Sequence, residues 1–143
     1  MRSLTEASPV ASSFERLLGL VRRLAPDDGL SLTAASTLRR LEGDGPRRLT
    51  ELARLEGVSQ PAMTQLVSRL ERAGLARRAS EPVDARVVLV QITDEGRRAM
   101  RERRAVRAER LADLMAALDP ADREAILAAL PALDRLCDQG PRG

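Results

Sequence analysis

With 143 residues, 43% apolar, 31% charged and a net charge of +3, the chain is long enough for one helix-rich globular domain, and its charge argues only weakly for nucleic acid. No run of about 18 apolar residues occurs, which excludes a helical membrane span; Met1–Ser13 lacks an apolar signal core, so the protein is expected in the cytoplasm. His, Tyr and Trp are absent and Cys137 is the single cysteine, so nucleophile–histidine pairs, His-containing metal sites and internal disulfides are excluded, no cofactor is expected and an enzyme is disfavoured.

Residues 1–11 are polar or small and are expected to fray. Phe14, Leu17, Leu18, Val21 and Leu24 then recur at helical spacing and predict an amphipathic helix from Ser12 to Ala25, ended by Pro26-Asp27-Asp28-Gly29. Its apolar face needs an outlet, in the C-terminal helices of its own chain or of a partner. Ser31 caps a second predicted helix with Leu32, Ala35, Leu38 and Leu41 inward, and Gly43-Asp44-Gly45-Pro46 breaks it. Arg47-Arg48-Leu49 suggests a very short strand, followed by a two-turn helix with Thr50 as cap and Leu52, Ala53 and Leu55 as its apolar positions.

Ala53 and Gly57 meet the needs of a helix-turn-helix: a small residue where the helices touch, and one that tolerates positive φ in the turn. Val58 plugs the turn and Ser59 caps the next helix, Gln60 to about Ala73. Met63, Leu66, Val67 and Leu70 form its core face. The opposite face carries Gln60, Thr64, Gln65, Ser68, Arg69 and Arg72, with Pro61 in the first turn, where it loses no intrahelical hydrogen bond. Short hydrogen-bonding side chains suit base edges and arginines suit phosphates, although a merely solvated face accounts for the same residues.

Gly74 ends that helix. Leu75–Ala79 and Arg86–Ile92 read as strands around a turn at Ser80–Ala85, a hairpin decorated by Arg77, Arg78 and Arg86. A basic hairpin beside a recognition helix can reach a minor groove, where arginine senses the narrow negative channel, and its presence favours the DNA reading of the preceding helix. Thr93 caps a long helix to about Leu118, with Asp94 and Glu95 at its positive end. Its first half, with seven arginines between Arg97 and Arg110, looks too basic for core; Leu111, Leu114, Met115 and Leu118 then form an apolar stripe. Asp119-Pro120 opens a last helix carrying Ile126, Leu127, Leu130, Leu133, Leu136 and Cys137, which Pro131 is expected to interrupt and kink. A basic section followed by an acidic one suits a molecule with a DNA side and a far side, or two ordinary solvated faces. All 24 basic residues are arginine, which fits bidentate phosphate and guanine contacts and equally fits the coding bias of a GC-rich genome.

The run Asp84-Ala85-Arg86 followed by Val87–Ile92 and Thr93-Asp94-Glu95-Gly96 resembles the wing signature of the MarR family of bacterial winged-helix regulators: Asp-x-Arg at the tip, an apolar strand, and a Thr-x-x-Gly helix start. Leu66–Leu75 is similar to the end of that family's recognition helix. The resemblance covers nearly the whole chain and implies a mainly α (α+β) fold, a single domain over 1–143. Within it, 31–93 would be the winged helix-turn-helix, and 12–25 with 94–139 the dimerisation helices. It implies a transcriptional regulator, often a repressor, working as an obligate homodimer through Phe14, Leu17, Leu18, Val21, Leu111, Leu114, Met115, Leu118, Ile126, Leu130 and Leu133. It also implies a recognition helix in the major groove, Arg86 in the adjacent minor groove, and Asp84 orienting basic groups at the wing. Release by a small anionic or phenolic effector bound between the dimer and DNA-binding regions is a further implication. The thiol-sensing subtype is not matched, since the first helix has no cysteine.

Ser59, Gln60, Pro61, Thr64, Gln65, Ser68, Arg69, Arg72, Arg77, Arg78, Asp84 and Arg86 are therefore the expected DNA-contacting set, on a pseudo-palindromic duplex. The alternative is a winged-helix module for protein–protein contact, which would lack the steep salt dependence of phosphate neutralisation.

Overall fold

The computed structural model describes residues 4–139, with side chains from Ala7 onward. Its elements in chain order are α1 (Leu4–Leu24), α2 (Leu32–Asp44), β1 (Arg47–Arg48), α3 (Leu49–Glu56), α4 (Gln60–Arg72), β2 (Ala76–Ser80), β3 (Val88–Ile92), α5 (Asp94–Ala116) and α6 (Pro120–Asp138). The three strands form one antiparallel sheet with β3 in the centre, in the order β1-β3-β2. Arg48 faces Leu89 on one side, and Arg78 faces Val90 on the other.

Local chemistry sets several helix boundaries. The side chains of Ser31, Ser59 and Thr93 accept the amides of Ala34, Ala62 and Gly96 at 3.1, 3.2 and 3.0 Å, satisfying donors that a helix start leaves unpaired. Helices α3 and α4 end in the same way. Gly57 and Gly74 take φ of 66° and 74°, and the next amides, of Val58 and Leu75, return to the carbonyls of Ala53 and Leu70 at 3.0 and 2.9 Å. Val58 and Leu75, both half-buried, then pack against the core.

That core lies where α2, α3, α4, β3 and the start of α5 meet. Leu38, Leu41, Leu52, Met63, Val67, Val90 and Met100 are essentially sealed from solvent, each removing apolar surface worth about 1.5–3 kcal/mol of transfer free energy. Buried Thr37 keeps its hydroxyl satisfied by donating to the Thr33 carbonyl at 2.8 Å.

Several sequence expectations are corrected. Helix α1 begins at Leu4, well before Ser12, and Pro9 falls in its second turn. Leu32 is 44% exposed, because the buried stripe of α2 runs through Ala34, Ala35, Leu38 and Leu41 instead. Helix α3 starts at Leu49 directly after the extended pair Arg47–Arg48, so Arg48 is the cap residue and Thr50 lies inside the first turn. Strand β3 starts at Val88; Arg86 and Val87 belong to the tip, where the Val87 amide donates to the Asp84 carbonyl at 3.0 Å.

The first half of α5 does contribute to the core. Gly96, Met100 and Arg103 are buried, and the Arg103 guanidinium is neutralised by Asp28, whose two carboxylate oxygens each accept from Nη1 at 2.6 Å. Helix α6 runs unbroken through Pro131, whose ring forfeits a single backbone hydrogen bond on an exposed surface. No residue of α6 is buried.

Candidate nucleic-acid interface

Ala53, 5% exposed, is a small residue of α3 in the core shared with α4, and Gly57 turns the chain between them. With Met63, Leu66, Val67 and Leu70 facing the core, α4 presents Gln60, Pro61, Thr64, Gln65, Arg69 and Arg72 to solvent, with Ser68 half-buried. Thr64 donates its hydroxyl to the Gln60 carbonyl at 2.9 Å, and Arg72 Nε donates to the Ser68 carbonyl at 3.3 Å. Among the described residues, the side chains of Gln60, Gln65 and Arg69 make no hydrogen bond within the protein. Hydrogen-bonding groups thus stand ready along one exposed helix face.

The wing tip is built around Asp84. Its Oδ1 accepts the backbone N–H of Arg86 at 3.0 Å and Nε at 3.1 Å, while Oδ2 accepts Nη2 at 3.3 Å. The Arg86 side chain stays 91% exposed, so the carboxylate orients the guanidinium without hiding it. Those same bonds, the side-chain one foremost, hold the Asp84 carboxyl below the usual aspartate range, with Arg48 adding attraction.

Arg48, at the start of α3, reaches across to the wing and donates through Nη2 to Glu81 at 2.9 and 3.3 Å. Its place opposite the wing follows from the β1–β3 pairing, a long-range contact with no local sequence signal. Between wing and helices lies a cleft of about 340 Å³ lined by Arg48, Leu49, Thr50, Gln60, Arg86, Val87 and Val88. Wing tip and recognition-helix start thus share one concavity.

The other two hairpin arginines differ. Arg77 is exposed and donates to Gln91 Oε1 at 3.4 Å. Arg78 turns back onto α4, ion-paired with Glu71 and donating to Ser68 Oγ at 3.2 Å. Ser68 and Arg78 are thus engaged with each other.

A separate surface is apolar and exposed. Phe14, Leu17, Leu18 and Val21 on α1, Leu111 and Leu114 on α5, Leu118 after it, and Ile126 and Leu130 on α6 each expose between 37% and 51% of their surface. Met115 and Leu133 are half-buried, and Cys137 is exposed. At the base of α5 a cleft of about 310 Å³ is lined by Pro26, Asp28, Leu30, Leu75, Ala99, Glu102, Arg103 and Val106. Among the described residues, no cluster of three or more His, Cys, Asp or Glu could hold a metal, and no helix is long and apolar enough to cross a membrane.

Residues 30–88 match the MarR family. The HTH-type transcriptional regulator MT0903.1 of Mycobacterium tuberculosis is 31% identical over 135 residues, covering 94% of each chain. Among solved structures, a candidate transcriptional regulator from Pseudomonas aeruginosa PA01 superposes with a TM-score of 0.81 at 30% identity, covering 98% of both chains. RV1404 from Mycobacterium tuberculosis does so with a TM-score of 0.79 at 27% identity, covering 100% of this chain and 99% of its own. The helix-turn-helix, the wing and these relatives agree: the chain belongs to the MarR family of winged-helix transcriptional regulators and is not an enzyme.

Proposed function

We propose that the protein acts as a homodimeric repressor that binds a pseudo-palindromic duplex, with α4 in the major groove and Arg86 in the adjacent minor groove. The observation that carries this reading is the pairing of an exposed polar face on α4, on which the Gln60, Gln65 and Arg69 side chains are unengaged among the described residues, with an exposed, carboxylate-oriented arginine across one cleft. Gln60, Thr64 and Gln65 face base edges, Arg69 and Arg72 the backbone or groove edge, and Arg77 the flanking phosphates. Arg48, beside Arg86, joins this set. The exposed apolar residues of α1, α5 and α6 support the dimer, because a second copy would remove them from water. Two-fold symmetry then places half-sites about one helical turn (~10 bp) or a multiple apart.

The effector reading rests on the cleft at the base of α5. It lies where the α1–α2 connection, the turn after α4 and α5 meet, and Nε of buried Arg103 has no hydrogen-bond partner among the described residues. A phenol, whose oxygen accepts from such a donor, suits the cleft better than a free anion, because Asp28 and Glu102 also line it and Asp28 already neutralises Arg103. The fold is shared with Bordetella bronchiseptica BpsR (22% identity, TM-score 0.60), whose DNA binding is regulated by 6-hydroxynicotinic acid.

Selection of bound duplexes from a random pool, followed by titration of the winner across salt concentrations, tests the proposal. A palindromic winner whose affinity falls steeply with salt is expected. No enrichment, with salt-insensitive binding to any duplex, would instead indicate a protein-contact module. A panel of benzoates and phenols added to the bound complex tests effector release.

A further inference from the structure

The angle between wing and recognition helix decides whether Arg86 meets DNA when α4 does. The chain passes from α4 to β2 through the turn of Ala73, Gly74 and Leu75, and Ala76 at the start of β2 shares the buried core with Leu66 and Leu70; β2 is an edge strand whose outward amides have no strand to pair with. At the centre of β2 one such amide is used: the N–H of Arg78 donates to Glu71 Oε1 at 3.0 Å. Glu71 Oε2 takes the Arg78 guanidinium through Nη1, and Nη2 of the same group reaches Ser68 Oγ at 3.2 Å. Both oxygens of one α4 carboxylate are thus committed to a single wing residue, and Arg78 spans back to a second α4 residue.

This arrangement is poorly placed to serve global stability. The Arg78 and Glu71 side chains keep 31% and 29% of their surface in water, where such pairs contribute little. It is well placed to set geometry, because it binds backbone and side chain of the strand together at a point beyond the glycine turn. We propose that Glu71 is a positioning residue for the wing: through Arg78 it fixes where Arg86 stands relative to the base-facing side of α4. The inference rests on the reading that α4 and the wing together bind duplex DNA.

The test is a double-mutant cycle on the selected operator at fixed salt, using wild type, Glu71→Ala, Arg86→Ala and the double variant. Arg86→Ala is expected to lower affinity roughly 5- to 150-fold, the loss of one specific contact. Glu71→Ala should lose a large part of that factor, and the double variant should bind no worse than Arg86→Ala, since both changes remove the same contact. Hydroxyl-radical footprints of Glu71→Ala should lose minor-groove protection at the flanks, while guanine N7 in the half-sites stays protected from dimethyl sulfate. Glu71→Gln, which keeps an acceptor for the Arg78 amide, should recover part of the affinity. A cycle built on Arg78→Met gives the same pattern, and stands in if Glu71→Ala does not fold.

Wild-type affinity in Glu71→Ala, or a loss that adds in full to that of Arg86→Ala, overturns the proposal while leaving the DNA reading intact. Failure of the wild type to select any duplex overturns both.

Discussion

The α-carbon of Gly96 lies directly against the carbonyl of Leu75: a Cβ at this position would stand 2.1 Å from that oxygen and 2.7 Å from Cγ1 of Ile92. Thr93 completes the joint. Its amide donates to the same Leu75 carbonyl at 3.1 Å, and its hydroxyl donates to the Gly74 carbonyl at 2.5 Å while accepting from the Gly96 amide at 3.0 Å. The Thr-x-x-Gly start of α5 is thus the fastening between that long helix and the exit of the recognition helix.

Gly96→Ala should therefore destabilise the protein by roughly 1–3 kcal/mol, the cost of forcing a methyl group into a filled space. The obstacle is backbone, which cannot rotate away as a side chain would. Urea unfolding should show a lower midpoint with an unchanged slope. A midpoint equal to the wild type would mean that α5 shifts freely on α4.

The Asp28–Arg103 pair predicts an acid-sensitive anchor for α5. Desolvation raises the Asp28 carboxyl, but hydrogen bonds from Arg103 and the Leu30 amide, with the attraction of the guanidinium, outweigh it and leave the group below its ordinary 3.8. A depressed folded value means that the unfolded chain binds the proton more readily. The stabilisation is therefore fully present above 3.8 and is lost as pH falls through the lower folded value.

Asp28→Asn should cost roughly 1–3 kcal/mol near neutral pH, less than for a sealed pair because Asp28 keeps 31% of its side-chain surface in water. Urea titrations at descending pH should show the gap between wild type and variant closing. A gap independent of pH would exclude the ion pair as its source.

At the wing tip, Arg86→Ala should weaken operator binding by roughly 1–3 kcal/mol. It should leave the unfolding midpoint unchanged, since the side chain is 91% exposed and, among the described residues, bonded only to Asp84. Asp84→Asn should give a smaller loss, because the guanidinium remains but its orientation is no longer held by charge. Gel shifts at fixed salt read both effects. An Arg86→Ala affinity equal to the wild type would remove this residue from DNA recognition.

Charges placed on the exposed apolar stripe should separate the subunits. Leu17→Glu combined with Leu114→Glu is expected to sediment as a monomer at concentrations where the wild type is dimeric, and to lose operator affinity, since a two-fold site is then met by one half. A wild type that sediments as a monomer would contradict the dimer reading.

Much of the molecule follows from interactions that span only a few residues, and these were legible in the chain itself. The Met63, Leu66, Val67, Leu70 spacing marks the buried side of α4 and so its outward side. The caps at Ser31, Ser59 and Thr93 and the left-handed glycines at 57 and 74 mark the ends of helices. Asp84 and Arg86 lie two positions apart, so their pairing is local as well. What tertiary structure alone decided are the contacts between distant segments. Arg103 looks like a surface arginine until the chain brings it to Asp28, 75 residues away, and Arg48 becomes part of the wing only because Glu81 lies 33 residues further on. Strand alternation puts Arg77 and its neighbour Arg78 on opposite sides, but which of the two braces α4 is settled only when the fold brings Glu71 to the Arg78 side. An arginine's role depends on which carboxylate the fold brings within reach, and helical or strand periodicity carries no information about that.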